Sequence, residues 1–397
     1  MDSCYFPPEE YELRWQRAEL EMEKRGIETA VVWGRTSASC DRAGDILYLT
    51  NYFSGTTGQG TDTSTNKART FCAVLLRRGE NPELHVDDPE LRPGLVATDR
   101  VRNHPDPVAS VAAALKERAG PGEVAIAGSD FFPMKQWQRL VDMTPDVAWQ
   151  VVDDLIRSVR FAKTARELDC FREGADVINP AMDRLMSDLV AGETEAEAAG
   201  NAMRELARRG GGYHKIACSH GAFIDYTCTN PLTGYSTRPT KAGDMVRAFI
   251  IGPALEGYYF DPGRTGVVGN NPTSDQRELI EGCATIVNEL VDAVRPGISF
   301  LDFAKHGDRL VSELGSDRGG ASAQYPFYGH PNGLYFETPP YLSSVQDHGD
   351  AVVQADTMLG IEAFVRHRSV GTAGFEQNVI VTDDGAELLT TTPMITF

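Results

Sequence analysis

"EGYYFDPGRTGVVG", residues 256–269, reads as a β-strand with one acid in its middle, Asp261, among apolar and aromatic neighbours. The stretch before it, "GDMVRAFIIGPAL" at 243–255, reads as the strand that pairs with it. A carboxylate inside an apolar strand is costly unless a cation balances it. What balances Asp261 decides how the second half of the chain is read.

Three further groups stand in equally apolar, strand-like surroundings. They are His330 in "FYGHPNGLYF", Glu362 in "LGIEAFV" and Glu376 in "AGFEQNVIV". An isolated acid on a strand commonly faces solvent or an arginine, and an isolated histidine is commonly structural. Together, three carboxylates and one imidazole form a hard, oxygen-rich ligand set. It suits Mn²⁺ or Fe²⁺ and can accept Zn²⁺ or Co²⁺.

Strand and helix patterns alternate through the first 155 residues. "PEEYELRWQRAELEMEKR" (8–25) predicts a helix, with proline near its start and Gly26 as its stop. "TAVVWG", "FCAVLLRRG" and "EVAIAGS" predict strands, "DILYLTNYFSG" a strand or short helix, and "PVASVAAALKERAG" a helix. That alternation predicts an α/β domain, 1–158. From 159 to 397 the pattern changes to long helices and longer strands. Thr194 with Glu197, and Thr273 with Gln276, form capping pairs at two helix starts. "DMVRAFIIG", "YYFDPGRTGVVG", "TMLGIEAFVRH" and "FEQNVIVTD" predict a largely antiparallel sheet, so the whole chain reads as α+β.

The 397 residues carry a formal net charge of −19. Nucleic acid and anionic membrane both require a basic face and are poor partners for this chain. No apolar run approaches the eighteen residues of a membrane span, and the polar, acidic start lacks a signal-peptide pattern. Seven scattered cysteines, none in a C-x-x-C pair, fit free thiols in a reducing cytoplasm.

In their order, "GDMVRAF", "YYFDPGRTGVVG", "GHPNGL", "TMLGIEAF" and "FEQNVIVTDDGAELLT" resemble the motifs of the "pita-bread" (M24-type) family. That family holds creatinases, Xaa-Pro aminopeptidases, prolidases and methionine aminopeptidases. "DILYLTNY" and "ARTFCAVLL" resemble its creatinase-type N-terminal domain. The resemblance implies a creatinase-like α/β domain followed by a pita-bread catalytic domain. Family ligands run Asp, Asp, His, Glu, Glu. Asp261, His330, Glu362 and Glu376 match the last four, whereas Phe249 stands at the first. A phenyl ring does not bind a hard cation, so the expectation is one divalent ion in place of two.

The resemblance also suggests other site residues. Glu376 doubles as a candidate for proton transfer. Glu337 stands seven residues after His330, where peptidases of the family have a second histidine. His220 opens a loop that borders the substrate in the family. Arg69 matches an arginine that reaches a substrate carboxylate from the neighbouring subunit in creatinase, which implies a homodimer. Phe249, Tyr258 and Tyr328 are expected to line a pocket for a small planar or cationic substrate, although aromatics near a core are often only core. The implied activity is metal-dependent hydrolysis of a C–N bond in a small polar substrate. Two alternatives stand beside it. "CTNP" (228–231) resembles the dimethylsulfoniopropionate-lyase branch, which has an aspartate where this chain has Phe336. A metal-free enzyme of the creatinase kind, or a binding protein, would clasp a guanidinium or ammonium group in the same acid cluster.

Overall fold

A computed structural model describes residues 4–36, 43–54, 71–117, 122–324, 326–346, 351–395 and 397. The chain divides into two compact units, Met1–Phe161 and Ala162–Phe397. Arg69 lies outside the described residues.

The first unit runs α1 (Pro8–Lys24), β1 (Thr29–Arg35), α2 (Gly44–Thr50), β2 (Phe71–Arg77), β3 (Glu83–Val86), β4 (Val101–Asn103), α3 (Pro107–Lys116), β5 (Glu123–Ala127), α4 (Met134–Met143), β6 (Ala148–Val151) and α5 (Leu155–Arg160). Its sheet has the order β4-β3-β2-β1-β5-β6. "DILYLTNY" forms a helix, α2, and its Ile46, Tyr48 and Leu49 are buried. The sheet buries Val31, Trp33, Ala73, Leu75 and Ile126 against Val111 and Leu115 of α3, and Trp33 stacks on Phe132 at 4.3 Å.

The second unit runs α6 (Ala165–Ala191), α7 (Glu195–Arg208), β7 (Lys215–His220), β8 (Met245–Leu255), β9 (Tyr258–Phe260), β10 (Gly263–Val267), α8 (Ser274–Ala293), α9 (Phe300–Glu313), β11 (Asp317–Arg318), β12 (Gly329–Asn332), β13 (Met358–His367), β14 (Gly371–Val381) and β15 (Ala386–Leu388). Thr164, Thr194 and Thr273 each close a reciprocal capping box at the start of α6, α7 and α8. The sheet order is β11-β13-β14-β10-β8-β7, with β12 on β13, β15 on β14 and β9 on β8, and every pairing is antiparallel. The mixed α/β first unit and antiparallel second unit make a two-domain, creatinase-like pita-bread fold.

The stretch around Asp261 is not one strand. It breaks into β9 and β10, with Asp261 and Pro262 between them. Proline has no N–H to give to a ladder, so pairing lapses where the acid stands. Register then aligns one face of the sheet. Phe249 pairs with Gly263, Gly263 with Glu376, and Glu376 with Glu362. Residues two apart on a strand share a face, so Arg247, Gly374 and Phe364 fall in the adjoining row. Among the described residues, no helix is long and apolar enough to cross a membrane.

A titratable group is also buried in the first unit. His85 on β3 is fully buried, with Nδ1 2.8 Å from Ser110 Oγ on α3. Burial, together with the charges of Arg102 and Arg77, pushes its pKa down to about 3. Between pH 6.5 and about 3 the unfolded chain therefore holds a proton that the folded chain refuses. The stability tied to His85 is complete above pH 6.5 and falls by about 1.4 kcal/mol per pH unit below it. Denaturant unfolding of wild type and His85→Gln across pH 4.5–7.5 should show a shallower slope in the variant.

Candidate metal centre

Asp261, His330 and Glu376 are buried, and one ligand atom from each lies within 4.8 Å of the other two. His330 Nε2 is 3.1 Å from Asp261 Oδ2, 3.6 Å from Glu362 Oε1 and 3.9 Å from Glu376 Oε1. Four distant segments meet here. Asp261 comes from the β9–β10 break, His330 from β12, and the two glutamates from paired positions of β13 and β14.

Two asparagines fix the orientation. Asn332 donates to Asp261 Oδ1 at 2.8 Å, which turns its own carbonyl oxygen towards His330 Nδ1 at 3.0 Å. Asn378 donates to the same Oδ1 at 2.7 Å and accepts from the Asp261 backbone N–H at 3.1 Å. A carbonyl opposite Nδ1 places the imidazole proton there and leaves the Nε2 lone pair facing the carboxylates. Among the described residues, and with Nε2 unprotonated, neither Asp261 Oδ2 nor Glu376 Oε1, both buried, has a hydrogen-bond donor. Lone pairs thus face lone pairs, which is unfavourable unless a proton or a cation lies between them.

Protons fill that place when nothing else does. Burial raises the Glu362 carboxyl to about 7, and the Asp261 charge adds to the rise against the pull of His330. Burial and the charges of Asp261 and Glu362 push Glu376 well above the usual carboxylate range. Burial alone would lower His330, but Asp261 and then Glu362 lift it to about 9. Burial likewise works against ionised Asp261, yet the His330 charge holds its pKa below the ordinary value. The set is short of positive charge, and its oxygen and imidazole donors fit a divalent ion.

Phe249 borders the cluster with hydrocarbon. Its ring fills the space in front of Gly263 and stacks on Phe364 with 5.5 Å between centroids. On the other side, Phe336 packs 4.7 Å from the His330 ring, and Tyr259 packs edge-on against Phe336 and Tyr335.

Other residues singled out from the sequence lie elsewhere. Tyr258 turns to α6, where its hydroxyl donates to Glu167 at 2.7 Å, and its neighbour Tyr259 takes the opposite direction. Strand alternation makes that difference. Tyr328 packs on Gly307 of α9 and donates to Asp308 at 2.7 Å. His220 pairs with Val246, an odd number of positions from Phe249, and so lies on the other face of the sheet; its Nδ1 is 2.7 Å from Glu195 of α7. Glu337 is buried in an ion pair with Lys163, whose side chain is fully buried. A group whose charge is already paired in this way is a poor free base.

Asn332, Asn378 and Lys163 were not legible as site residues. The two asparagines do carry a usable signal. Each lies two residues after a candidate ligand, His330 or Glu376, and so shares its strand face.

Residues 169–383 match the family model described as metallopeptidase family M24. Probable dipeptidase PepE from Mycobacterium tuberculosis is 28% identical over 287 residues, 71% of this chain and 71% of that one. Xaa-Pro dipeptidase from Pyrococcus furiosus is 26% identical over 241 residues, 61% of this chain and 66% of that one. Two solved structures share the fold. Dipeptidase PepE from Mycobacterium ulcerans has a TM-score of 0.77 at 24% identity, covering 99% of this chain and 98% of that one. Xaa-Pro dipeptidase from Bacillus anthracis has a TM-score of 0.77 at 18% identity, covering 97% and 100%.

Two outcomes follow from this geometry. Asn332→Ala should weaken binding of Mn²⁺ by about 10- to 100-fold, read by titration against a competing chelator. Glu337→Gln and Lys163→Met alone should each cost about 3–5 kcal/mol of stability, while the double variant recovers most of it in a thermal melt. If Glu337→Gln instead changes only the pH profile of turnover, its place as a structural partner of Lys163 is lost.

Proposed function

This chain belongs to metallopeptidase family M24, and from that premise we propose that it hydrolyses the peptide bond of a dipeptide with a single divalent ion. The enzyme is an M24-type metallohydrolase that acts on C–N bonds. The ion number, the dipeptide and the residue roles are the proposal.

One observation carries it. With His330 neutral, as a bound ion requires, Asp261 Oδ2 and Glu376 Oε1 are buried acceptors without donors among the described residues, and they face the Nε2 lone pair of His330. Asp261, His330 and Glu376 would hold the ion, with Glu362 completing the set. When bound, it supplies Lewis acidity and eases the ionisation of water at neutral pH. Hydrocarbon at Phe249 and Phe364 supports one ion over two, because a second hard cation would need oxygen there.

The chain's own groups do the rest. Asn332 and Asn378 hold Asp261 and His330 in place. Phe249, Phe364 and Phe336 exclude water from the sides and strengthen every charge interaction within. Glu362 and Glu376 stand opposite each other in register. Glu376, through a carboxylate oxygen that the ion leaves free, would take a proton from water and return it to the leaving amine. An acid from position 336, which the lyase alternative requires, is missing, and Phe336 lies on His330 instead.

The test is metal analysis with dipeptide hydrolysis. After reconstitution with Mn²⁺ or Fe²⁺, one ion per chain and release of free amino acids are expected. Glu376→Gln should lower kcat/KM by about 10³-fold or more and reduce metal occupancy. Two tightly held ions per chain would overturn the single-ion reading. A fully loaded enzyme that cleaves no dipeptide would overturn the peptidase reading.

A further inference from the structure

Two arginines are buried in neighbouring strands of the catalytic sheet, and they differ sharply. Arg264 on β10 spends its guanidinium on the backbone carbonyls of Gly263, Glu376, Thr392 and Pro393 and on the Gln377 side chain. Such saturation is what a structural arginine shows. Arg247 on β8 is 1% exposed and, among the described residues, bonds only the carbonyls of Tyr226 at 2.6 Å and Thr372 at 3.3 Å. Its Nε is buried with no partner among the described residues. Among the described residues, no carboxylate oxygen lies within 4.0 Å of its guanidinium. Asp225, whose charge reaches Arg247, is itself held by Arg366 at 3.2 Å and Thr372 Oγ1 at 2.7 Å.

Arg247 lies on the same face as the metal-centre carboxylates. It is two residues from Phe249 on β8, and its Cδ crosses in front of Gly374, where an added Cβ would come within 3.0 Å. Gly374 is two residues before Glu376. The guanidinium carbon lies 5.4 Å from the centre of the Phe364 ring, which is itself stacked on Phe249. A desolvated guanidinium with no carboxylate in contact is expensive, and planar carboxylates are the anions it pairs with best.

We propose that Arg247 is the specificity-determining residue that binds the substrate's free carboxylate. The apolar or planar group next to that carboxylate lies on Phe249 and Phe364. The Nε–H and an unused Nη–H offer parallel donors to its two oxygens. Two residues of strand separate Gly374 from Glu376, roughly 7 Å. That is about the span of one extended substrate residue, roughly 3.5 Å, plus one N–H···O hydrogen bond of about 2.9 Å. A peptide cleaved beside Glu376 therefore places a terminal carboxylate at Arg247 when a single residue follows the scissile bond. This explains a preference for dipeptides with a free C-terminus, and in that part it rests on the peptidase reading.

The experiment separates the two. Benzoate and benzamide are titrated into chelator-treated, full-length protein, so that no metal and no peptidase chemistry are involved. Wild type should bind benzoate about 10- to 100-fold more tightly than benzamide. R247Q should bind the two alike, and R247K should keep part of the difference. Equal binding by wild type, no benzoate binding, or a preference that survives in R247Q overturns the assignment. The acid-against-amide comparison on wild type needs no variant, so it decides the matter even if R247Q misfolds. In parallel, metal-loaded wild type is given Ala-Pro and Ala-Pro-amide. Failure to cleave either overturns only the peptidase reading. Cleavage of both with equal kcat/KM overturns the role of Arg247 in that reaction.

Discussion

Negative charge in excess of positive is the constraint around which the catalytic unit is built. Among the described residues, Asp261, Glu362 and Glu376 are buried together with one imidazole, His330, against them, and the charge of Arg264 acts on Glu376 from further off. Water cannot screen them, and hydrogen bonds reach only part of their oxygens. The carboxylates therefore either take up protons, as the raised pKa values of Glu362 and Glu376 show, or hold a cation.

The sheet makes room for this by leaving side chains out. A Cβ on Gly360 would collide with Glu376 Oε1 and lie 3.1 Å from Asp261 Oδ1. A Cβ on Gly374 would strike the Phe364 ring and crowd Arg247. Bare backbone at these positions lets long side chains lie flat across their neighbours. Acidic and aromatic groups thus share one face, with charge at one end and hydrocarbon beside it.

Buried ions outside the cluster follow a different rule. Lys163 and Glu337 neutralise each other, as do the arginines and glutamates gathered around Glu83 in the first unit. Arg264 is saturated by carbonyls. These groups hold segments together and have little left to offer a ligand. Asp261 Oδ2, Glu376 Oε1 and Arg247 Nε are left with unmet valence, and all three belong to the same face of the sheet. On that face the proposed ion and substrate carboxylate would meet the unmet valence.

The sequence alone determined the residue types and their order. Alternating apolar strands, the capping threonines Thr194 and Thr273, and the acids in apolar company follow from local chemistry, since period and caps are properties of neighbouring residues. The order of Asp261, His330, Glu362 and Glu376 was legible in the same way. Only the tertiary structure decided which side chains meet. Lys163 lies 174 residues from Glu337, and Asp261 lies 117 from Asn378. It also decided direction. One step along a strand separates Tyr258, facing α6, from Tyr259, facing Phe336, and sets His220 on the far side from Phe249. Strand register fixes that choice, and register comes from pairing between distant segments.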